Sequence, residues 1–394
     1  MTRVLHVISG IAPEHGGPTT ALLGMTKAQV AAGLRVGLAV TWRIPTGLAY
    51  ADAFHANGVD VTTIGPARDP MSRHPAIGSA LRRLVADTDV VHVHGVWEEI
   101  QAQACVAARA TGKPYVVTPH GMLAQWNMAR GRWRKAAYLA LRLRRHLDAA
   151  SAIHYTTHAE RRSTEPLGIE ASPLVETLGV DLAEFDPLPP PGLFRARYPQ
   201  LAGRPFVLFL GRIDYKKGLD LLIPSFAKGA PADAMLVLAG PELTEYGRDV
   251  RVLVARERIG DRVLFTGMLH GRDRIAALVD ADLFALTSYV ENFGVAVVEA
   301  MAAGTPVLIS DQVNLAEMIA GADVGAVVPT RVSEIAGVLH DWLGRPDRLV
   351  TAGRRAAEVA RSQFGWPAIA DRWTGHYARL VRDRFDLMAD ASDH

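Results

Sequence analysis

The sequence has almost no cysteine, and this limits how the protein can be stabilised. Cys105 is the one cysteine among 394 residues, so no disulfide can form within the chain. A chain without disulfides is typical of a reducing compartment. We therefore expect a cytoplasmic protein that is held together by its buried apolar side chains.

Long apolar runs and the common nucleotide-binding motifs are also absent. No run reaches the roughly 18 apolar residues that a membrane-spanning helix needs. Residues 1–17 have no small-residue cleavage site after their apolar stretch, so we expect neither a spanning helix nor a signal peptide. The absence of GxGxxG and GxxxxGK[ST] argues against a nicotinamide-linked dehydrogenase and against a P-loop site.

Short apolar runs that alternate with amphipathic stretches dominate the sequence. The chain is 49% hydrophobic and 21% charged, and it is longer than most single domains. Runs such as Phe206–Leu210 are apolar throughout, which is typical of parallel strands covered on both faces. The alternation predicts doubly wound α/β units. The predicted strands cover residues 4–8, 35–40, 59–64, 90–93, 115–118, 152–155, 206–210, 235–239, 263–266, 283–287, 307–310 and 325–328.

The strand–helix pattern occurs twice and is interrupted by a proline-rich segment at residues 187–203. Prolines do not fit a helix interior or a central strand, so we interpret this segment as a linker. We predict Rossmann-like domains at residues 1–186 and 204–371 that face each other across a cleft. An amphipathic helix at about residues 372–394 is expected to pack back on the first domain. Ligands of such folds bind at the carboxyl ends of the strands.

Two glutamates lie in the apolar stretch of residues 288–307. Glu291 follows a predicted strand, and Glu299 lies on a helix predicted over residues 295–303. Asn292 is the predicted N-cap of this helix. On spacing alone, the two acids are equally consistent with a solvated pair and with a binding site.

The start of this predicted helix favours an anion. The backbone N–H groups of Phe293, Gly294 and Val295 point out of the helix start, and such an end attracts phosphate. Glycine at position 294 lets a ligand approach the backbone closely. Because a carboxylate repels phosphate, we expect Glu291 and Glu299 to hold neutral hydroxyl groups instead.

Cations follow the predicted strand at residues 206–210. Arg212, Lys216 and Lys217 lie between Gly211 and Gly218. Cations near the carboxyl end of a strand suit a diphosphate, whose negative charge they would stabilise as it departs. A solvated turn with surface cations is the alternative.

Weaker signals lie in the first half of the chain. Gly16 and Gly17 form a glycine pair between the first strand and the first helix, where a plain loop is also expected. His120 follows the strand at residues 115–118. This position suits a hydrogen bond to a substrate or a proton transfer, and it equally suits a structural loop histidine.

Metal binding is not expected. His92 and His94 alternate on one predicted strand, but no third ligand lies nearby in the sequence. Asp280 and Asp282 directly precede another strand, where we predict a capping or turn role.

The first 150 residues are basic. They contain 17 lysines and arginines against 9 acids, whereas the remainder contains 26 against 32. Residues Arg130–Leu147 carry seven basic and no acidic residues, with aromatic and leucine side chains between them. This segment predicts either an amphipathic helix on an anionic membrane surface or an ordinary basic surface helix. No recognised nucleic-acid module accompanies it, so we expect no nucleic-acid partner.

Together these motifs resemble the retaining glycosyltransferases of family four, which have the GT-B fold of two Rossmann-like domains. The pair Glu291 and Glu299 with "ENFG" resembles the paired-glutamate motif, and "GRIDYKKG" resembles the donor-phosphate motif. "EHGGPTT" is similar to the N-terminal glycine loop, and "TPHGML" is similar to the histidine loop of exopolysaccharide-type members. Thr287 and Ser288 stand where the family commonly has Pro-Ser.

The resemblance implies a role for each matching residue. Arg212 and Lys217 would bind the nucleotide diphosphate and stabilise it as the leaving group. Glu291 would hold hydroxyls of the transferred sugar, and Glu299 would hold the ribose hydroxyls. Further contacts to the donor would come from His120, Gly16, Gly17, Asn292, Phe293, Gly294 and Val295. Members of the family usually need neither a metal nor a cofactor.

The activity implied by the resemblance is transfer of a sugar from a nucleotide-diphosphate donor to a glycan or lipid-linked glycan. The anomeric configuration would be retained, and the setting would be exopolysaccharide or lipopolysaccharide synthesis at the inner face of the membrane. A sugar-nucleotide epimerase of the same fold and a non-catalytic sugar-nucleotide-binding protein are the alternatives. Motif spacing does not encode the donor base, the sugar or the acceptor.

Overall fold

Two parallel β-sheets, one in each unit of the chain, organise the structure. The computed structural model describes residues 1–11, 17–129 and 131–392. The first unit contains residues 1–179 and the C-terminal helix, and the second unit contains residues 180–365. Each sheet is parallel and is connected through helices, so the predicted doubly wound α/β architecture is confirmed.

The sheet of the first unit has the strand order β3-β2-β1-β4-β5-β6-β7. Its strands are β1 (Arg3–Ile8), β2 (Arg35–Thr41), β3 (Asp60–Ile64), β4 (Val90–His94), β5 (Tyr115–Thr118), β6 (Ala152–Tyr155) and β7 (Pro173–Val175). The helices of this part of the chain are α1 (Gly17–Ala31), α2 (Ala51–Ala56), α3 (Ile77–Ala86), α4 (Glu99–Ala110), α5 (Gln125–Ala129), α6 (Arg132–Tyr138), α7 (Arg144–Asp148) and α8 (His158–Thr164).

The sheet of the second unit has the strand order β10-β9-β8-β11-β12-β13. Its strands are β8 (Phe206–Leu210), β9 (Met235–Ala239), β10 (Val263–Gly267), β11 (Leu283–Leu286), β12 (Val307–Ser310) and β13 (Gly325–Val328). The accompanying helices are α9 (Leu193–Arg197), α10 (Leu219–Gly229), α11 (Tyr246–Arg256), α12 (Gly271–Asp280), α13 (Val295–Ala302), α14 (Ala316–Ala322), α15 (Val332–Leu343) and α16 (Pro346–Gln363).

The last helix, α17 (Trp366–Ser392), belongs to the first unit. It packs against α1, and its Trp373 and Tyr377 are fully buried. Within the described residues, none of the helices combines the length and the apolar composition needed to cross a membrane.

The central strands explain why their sequences are apolar throughout. β4, β5, β6, β8, β9, β11 and β12 are buried along their whole length, as expected for parallel strands covered on both faces. The predicted strands correspond to β1–β6 and β8–β13, with differences of one residue at some ends. β7 was not predicted, because three residues that begin with proline give no apolar run.

The proline-rich segment lies within the second unit. Two aspartates that directly precede β11 form hydrogen bonds to this part of the chain. The Asp280 carboxylate accepts hydrogen bonds from the N–H groups of Gly192 (2.6 Å), Phe194 (2.8 Å) and Arg195 (3.0 Å). Asp282 accepts from Arg195 Nη2 at 2.9 Å and from the N–H of Phe206 at 2.8 Å. The bonds of Asp280 confirm the predicted capping role, at the start of α9, whereas Asp282 bonds to the first N–H of β8 and to the Arg195 side chain. They also fix residues 192–195 against the sheet rather than leaving them as a linker.

Asp280→Ala is expected to destabilise the second unit by roughly 2–4 kcal/mol, because three backbone donors lose a charged acceptor in a buried place. The measurement is urea unfolding followed by a probe confined to the second unit, such as hydrogen exchange of β8. Asp233→Ala, at an exposed aspartate of the same unit, is the matched control. Equal stability of the two variants would contradict the capping assignment.

Candidate active site

Lys217 and Glu291 form an ion pair at the carboxyl edge of the second sheet. Lys217 ends the turn that follows β8, and Glu291 lies in the loop that follows β11. The Lys217 ammonium contacts the Glu291 carboxylate, and both side chains are about four-fifths buried. The two residues meet because β8 and β11 are neighbours in the sheet.

Two hydrogen bonds to backbone carbonyl oxygens hold these two loops together. The Thr287 hydroxyl donates to the Gly218 carbonyl oxygen at 2.9 Å, and the Tyr289 N–H donates to the Lys216 carbonyl oxygen at 2.8 Å. Gly218 has a φ of +67°, and a Cβ there would lie 2.0 Å from the Thr287 carbonyl oxygen. Glycine is therefore required at this position. Thr287, the departure from the family's Pro-Ser, supplies a hydrogen bond that proline cannot form.

The backbone of Glu291 is also fixed. Its N–H donates to the Gln312 carbonyl oxygen at 3.2 Å, and its carbonyl oxygen accepts from the N–H of Asn314 at 3.1 Å. These bonds join the loop after β11 to the segment after β12, so the Glu291 carboxylate projects from a backbone with little freedom.

The start of α13 lies beside Glu291. Gly294, with a φ of +80°, is the N-cap residue, and the prediction that Asn292 caps this helix is wrong. The chain enters α13 through a left-handed conformation that glycine adopts without strain. A Cβ on Gly294 would lie 3.3 Å from Glu291 Cγ. The first N–H groups of α13, including that of Val295, have no acceptor within the helix and lie next to the Lys217–Glu291 pair.

Glu299 lies one turn into α13 and is paired with a cation that the sequence analysis missed. Arg274 of α12 contacts the Glu299 carboxylate through one guanidinium nitrogen and Glu184 through another. Burial raises the pKa of Glu299, and the neighbouring Arg274 opposes this shift. In the sequence, Arg274 looks like any arginine on an amphipathic helix, so no local signal would have found it.

The other predicted donor-binding residues are spread over both units. Arg212 is exposed just after β8, Phe293 is buried before α13, and Gly17 begins α1 in the first unit. Gly16 lies outside the described residues. The roles of all these residues in binding a donor stay predictions.

His120 follows β5 in the first unit and is partly exposed. It has a φ of +50°, and the next N–H, that of Gly121, donates to the buried carboxylate of Glu160. His120 Nε2 lies 3.1 Å from His94 Nδ1. Burial of the ring lowers the pKa of His120 to about 3, so its imidazole is neutral at pH 7.

A third histidine joins His92 and His94, although the sequence analysis found none nearby. His6 of β1 is in register with His92 of β4, and His94 follows two residues later on the same face. Ligand atoms of the three rings lie within 4.8 Å of one another. The histidines are visible in the sequence, one on β1 and two at alternating positions on β4. Only the pairing of β1 with β4 in the sheet shows that they are neighbours.

These three histidines do not fit a metal ion. The rings of His92 and His94 are stacked, with centroids 4.4 Å apart and planes inclined by 17°, and His6 is stacked on His94 at 5.2 Å and 25°. Since nitrogen lone pairs lie in the ring planes, stacked rings do not direct them at one point. The ring nitrogens instead hydrogen bond to protein groups.

Comparison with known proteins shows the family to which this chain belongs. Residues 16–176 match the family model described as "Glycosyl transferase 4-like domain", and residues 194–359 match "Glycosyl transferases group 1". A D-inositol 3-phosphate glycosyltransferase of Kineococcus radiotolerans is 30% identical over 318 residues, which cover 75% of this chain and 72% of the relative. The chain belongs to the group 1 glycosyltransferases.

Other relatives of this glycosyltransferase match it along nearly the full length. A GDP-mannose-dependent alpha-(1-6)-phosphatidylinositol monomannoside mannosyltransferase of Mycobacterium tuberculosis is 28% identical over 390 residues, covering 94% of this chain and 96% of the relative. Among solved structures, HepE of Anabaena in complex with UDP-glucose has a TM-score of 0.78 at 20% identity, covering 96% of this chain and 100% of that one. The structural similarity confirms the GT-B fold class.

The first unit of this glycosyltransferase should lose stability as the pH falls from about 6.5 to about 4. Burial lowers the pKa of His6 and of His154 from 6.5 to about 4. Below pH 6.5 the unfolded chain therefore binds protons that the folded chain does not. Each such histidine lowers the free energy of unfolding by up to about 1.4 kcal/mol per pH unit.

Hydrogen exchange followed separately for the two units at pH 7 and pH 5 is the measurement. The second unit is the internal control, because its His270 and His340 are exposed. An opening free energy of β4 that does not change between the two pH values would contradict the assignment of buried, neutral histidines.

Proposed function

We propose that this glycosyltransferase moves a sugar from a nucleotide-diphosphate donor to a hydroxyl of a glycan or lipid-linked glycan, with retention of the anomeric configuration. The observation that carries the proposal is the meeting of Lys217, Glu291 and the start of α13 at one sheet edge. A cation, a carboxylate and unbonded helix amides together suit a ligand that has both phosphate and hydroxyl groups.

The leaving group in such a transfer is the nucleoside diphosphate, on which negative charge develops as the sugar departs. Lys217, Arg212 and the first N–H groups of α13 would stabilise this charge without a metal ion. The loops that carry Lys217 and Glu291 are joined before the reaction by the bonds of residues 216 and 218 to residues 287 and 289. Little reorganisation is then required as the charge develops.

Glu291 would hold hydroxyl groups of the transferred sugar. Its carboxylate lies beside the N-terminus of α13 and contacts Lys217, so a sugar bound there would have its phosphate near the cation. Glu299 would hold the ribose hydroxyls, with Arg274 orienting its carboxylate. His120, as a neutral imidazole, would form a hydrogen bond to the donor sugar.

The relatives suggest which donor and acceptor to examine first. The mycobacterial relative is named as GDP-mannose-dependent and as acting on phosphatidylinositol monomannoside, which supports GDP-mannose and a glycolipid acceptor as candidates. Lipid-linked intermediates of exopolysaccharide or lipopolysaccharide synthesis have the same chemical character, a sugar hydroxyl next to an anionic lipid. We propose an acceptor of this class.

A membrane-surface location would bring the enzyme to such an acceptor. Trp133 and Leu141 are 75% and 83% exposed, and the basic residues Arg132, Arg134 and Arg145 beside them are also exposed. Exposed aromatic and aliphatic side chains among arginines favour the interface of an anionic bilayer. We propose that Arg130–Leu147, the basic segment, binds this interface; Arg130 itself lies outside the described residues.

Lys217→Ala and Glu291→Ala are each expected to lower kcat by at least about 100-fold, because each removes a group that would contact the donor in the transition state. The assay supplies a panel of nucleotide sugars, including GDP-mannose and UDP-glucose, with and without lipid-linked acceptors. It measures released nucleoside diphosphate and the anomeric configuration of the product by NMR.

Lys228→Ala, at an exposed lysine of α10, is the matched control and should keep full activity. Epimerised donor without release of nucleotide would show the epimerase alternative instead. Full activity of the Lys217 and Glu291 variants would contradict the site assignment.

Flotation with phosphatidylglycerol vesicles at low salt tests the membrane proposal. The wild-type protein is expected to float with these vesicles but not with phosphatidylcholine vesicles, because the basic segment needs anionic headgroups. The double variant Trp133→Ser, Leu141→Ser should lose most of this binding. Val252→Ser, at a side chain that is 67% exposed in the second unit, should bind like the wild type. A wild-type protein that stays unbound would rule out the membrane-surface proposal.

A further inference from the structure

A continuous chain of hydrogen bonds crosses the interior of the first unit from a backbone carbonyl to His120. It passes through the four strands β1, β4, β5 and β6 and through α1 and α17, and it consists almost wholly of buried side chains. In order, its bonds join Glu176 O to His154 Nε2 (2.7 Å), His154 Nδ1 to Thr118 Oγ1 (2.8 Å), Thr118 Oγ1 to His92 Nε2 (2.7 Å), His92 Nδ1 to Tyr377 Oη (2.7 Å), Tyr377 Oη to Gln29 Nε2 (3.3 Å), Gln29 Oε1 to His6 Nε2 (2.8 Å), His6 Nδ1 to His94 Nε2 (2.9 Å) and His94 Nδ1 to His120 Nε2 (3.1 Å).

Every histidine of this chain is neutral at pH 7. Burial lowers the pKa of His6 and His154 to about 4 and that of His120 to about 3, and it lowers the pKa of His92 and His94 well below 6.5. A neutral imidazole has one N–H donor and one acceptor nitrogen. The direction of one bond to such a ring therefore determines the direction of the other.

The Glu176 carbonyl oxygen, at one end of the hydrogen-bond chain, determines which group donates in each of the first bonds. The Glu176 carbonyl oxygen can only accept, so His154 donates from Nε2 and accepts at Nδ1. The one hydroxyl proton of Thr118 must then point at His154 Nδ1. Thr118 Oγ1 can consequently only accept from His92 Nε2, which leaves His92 Nδ1 as an acceptor.

The donor and acceptor roles of Tyr377 and Gln29 follow from that of His92 Nδ1. The Tyr377 hydroxyl proton must point at His92 Nδ1, so the same oxygen accepts from the side-chain amide of Gln29. Gln29 therefore turns its NH₂ group toward Tyr377 and its Oε1 toward His6. This orientation follows from the proton count and does not depend on how the amide atoms are assigned.

The last three bonds follow in the same sense. Gln29 Oε1 accepts from His6 Nε2–H, His6 Nδ1 accepts from His94 Nε2–H, and His94 Nδ1 accepts from His120 Nε2–H. His120 is thereby left with its proton on Nε2 and a lone pair on Nδ1.

We propose that this chain selects the tautomer of His120, so that Nδ1 presents a hydrogen-bond acceptor to a hydroxyl of the bound sugar. Tyr377 and Gln29 are positioning residues, which act on the substrate through His120. The part of the proposal that concerns the sugar hydroxyl rests on the proposed function, whereas the tautomer is a property of the protein without substrate.

The opposite tautomer is the competing state. If Gln29 turned its amide over, it would donate to His6, and each ring from His6 to His120 would exchange its donor and acceptor nitrogens. Nδ1 of His120 would then be a donor. Tyr377 prevents this reversal, because it needs the NH₂ group of Gln29 and has no second proton to offer an oxygen.

The test is nitrogen-15 NMR of the full chain labelled at histidine, with His120→Asn used to assign the His120 signals. In the wild-type protein, His120 Nε2 should show the shift of a protonated ring nitrogen and Nδ1 that of an unprotonated one. Tyr377→Phe removes the group that orients Gln29, so a second population with protonated Nδ1 should appear. Its kcat should fall about tenfold, as expected when one hydrogen bond to the sugar is lost, with a smaller change in KM for the donor.

Tyr115→Phe is the matched control. The Tyr115 hydroxyl donates to the His146 carbonyl oxygen at 2.6 Å, so this variant also loses a buried tyrosine bond, but outside the chain. It should keep the wild-type His120 signals and kcat. Loss of stability alone would affect both variants alike and would not move the tautomer.

Protonated Nδ1 on His120 of the wild-type protein would overturn the proposal, and so would identical His120 signals in the wild type and in Tyr377→Phe. If Tyr377→Phe does not fold, the wild-type spectrum decides. A correct tautomer in a protein that turns over no nucleotide sugar would contradict the proposed function and leave the tautomer assignment standing.

Discussion

The contact between Lys217 and Glu291 constrains the arrangement of the candidate site more than any other interaction. It joins the loops after β8 and β11, and most of the surface of each side chain is removed from water. A largely buried charge without a partner is costly, so each residue needs the other until a ligand enters. A diphosphate would supply a second anion for Lys217, and sugar hydroxyls would supply donors for Glu291. The ion pair thus keeps both groups near the positions where a donor would meet them.

The predicted donor-binding groups of the two units differ in electrostatic character. The second sheet places ion pairs at its carboxyl edge, Lys217 with Glu291 and Arg274 with Glu299. The first sheet buries histidines that stay neutral, because removal from water disfavours their charged forms. In the second unit, the cations would suit the phosphates of a nucleotide sugar and the carboxylates would suit its hydroxyls.

The sequence predicted the parallel sheets well, since fully buried strands are apolar along their length. Asn292 looked like an N-cap, but the N-cap of α13 is Gly294, whose left-handed backbone the residue pattern does not reveal. The other failures depended on a neighbour distant in the chain. Arg274 carries no local sign that it will reach Glu299. His6 joined His92 only through the pairing of β1 with β4, and no periodicity rule connects Tyr377 with Gln29 across 348 residues.

A nucleoside diphosphate is expected to bind at the edge of the second sheet, beside Lys217 and the start of α13. The decisive measurement is a crystal structure of the protein saturated with a nucleoside diphosphate. We expect phosphate oxygens within hydrogen-bonding distance of Lys217 Nζ and of the N–H groups of residues 293–295, with the ribose hydroxyls at Glu299. A fully occupied diphosphate that contacts neither Lys217 nor the start of α13 would show that this donor site is wrong.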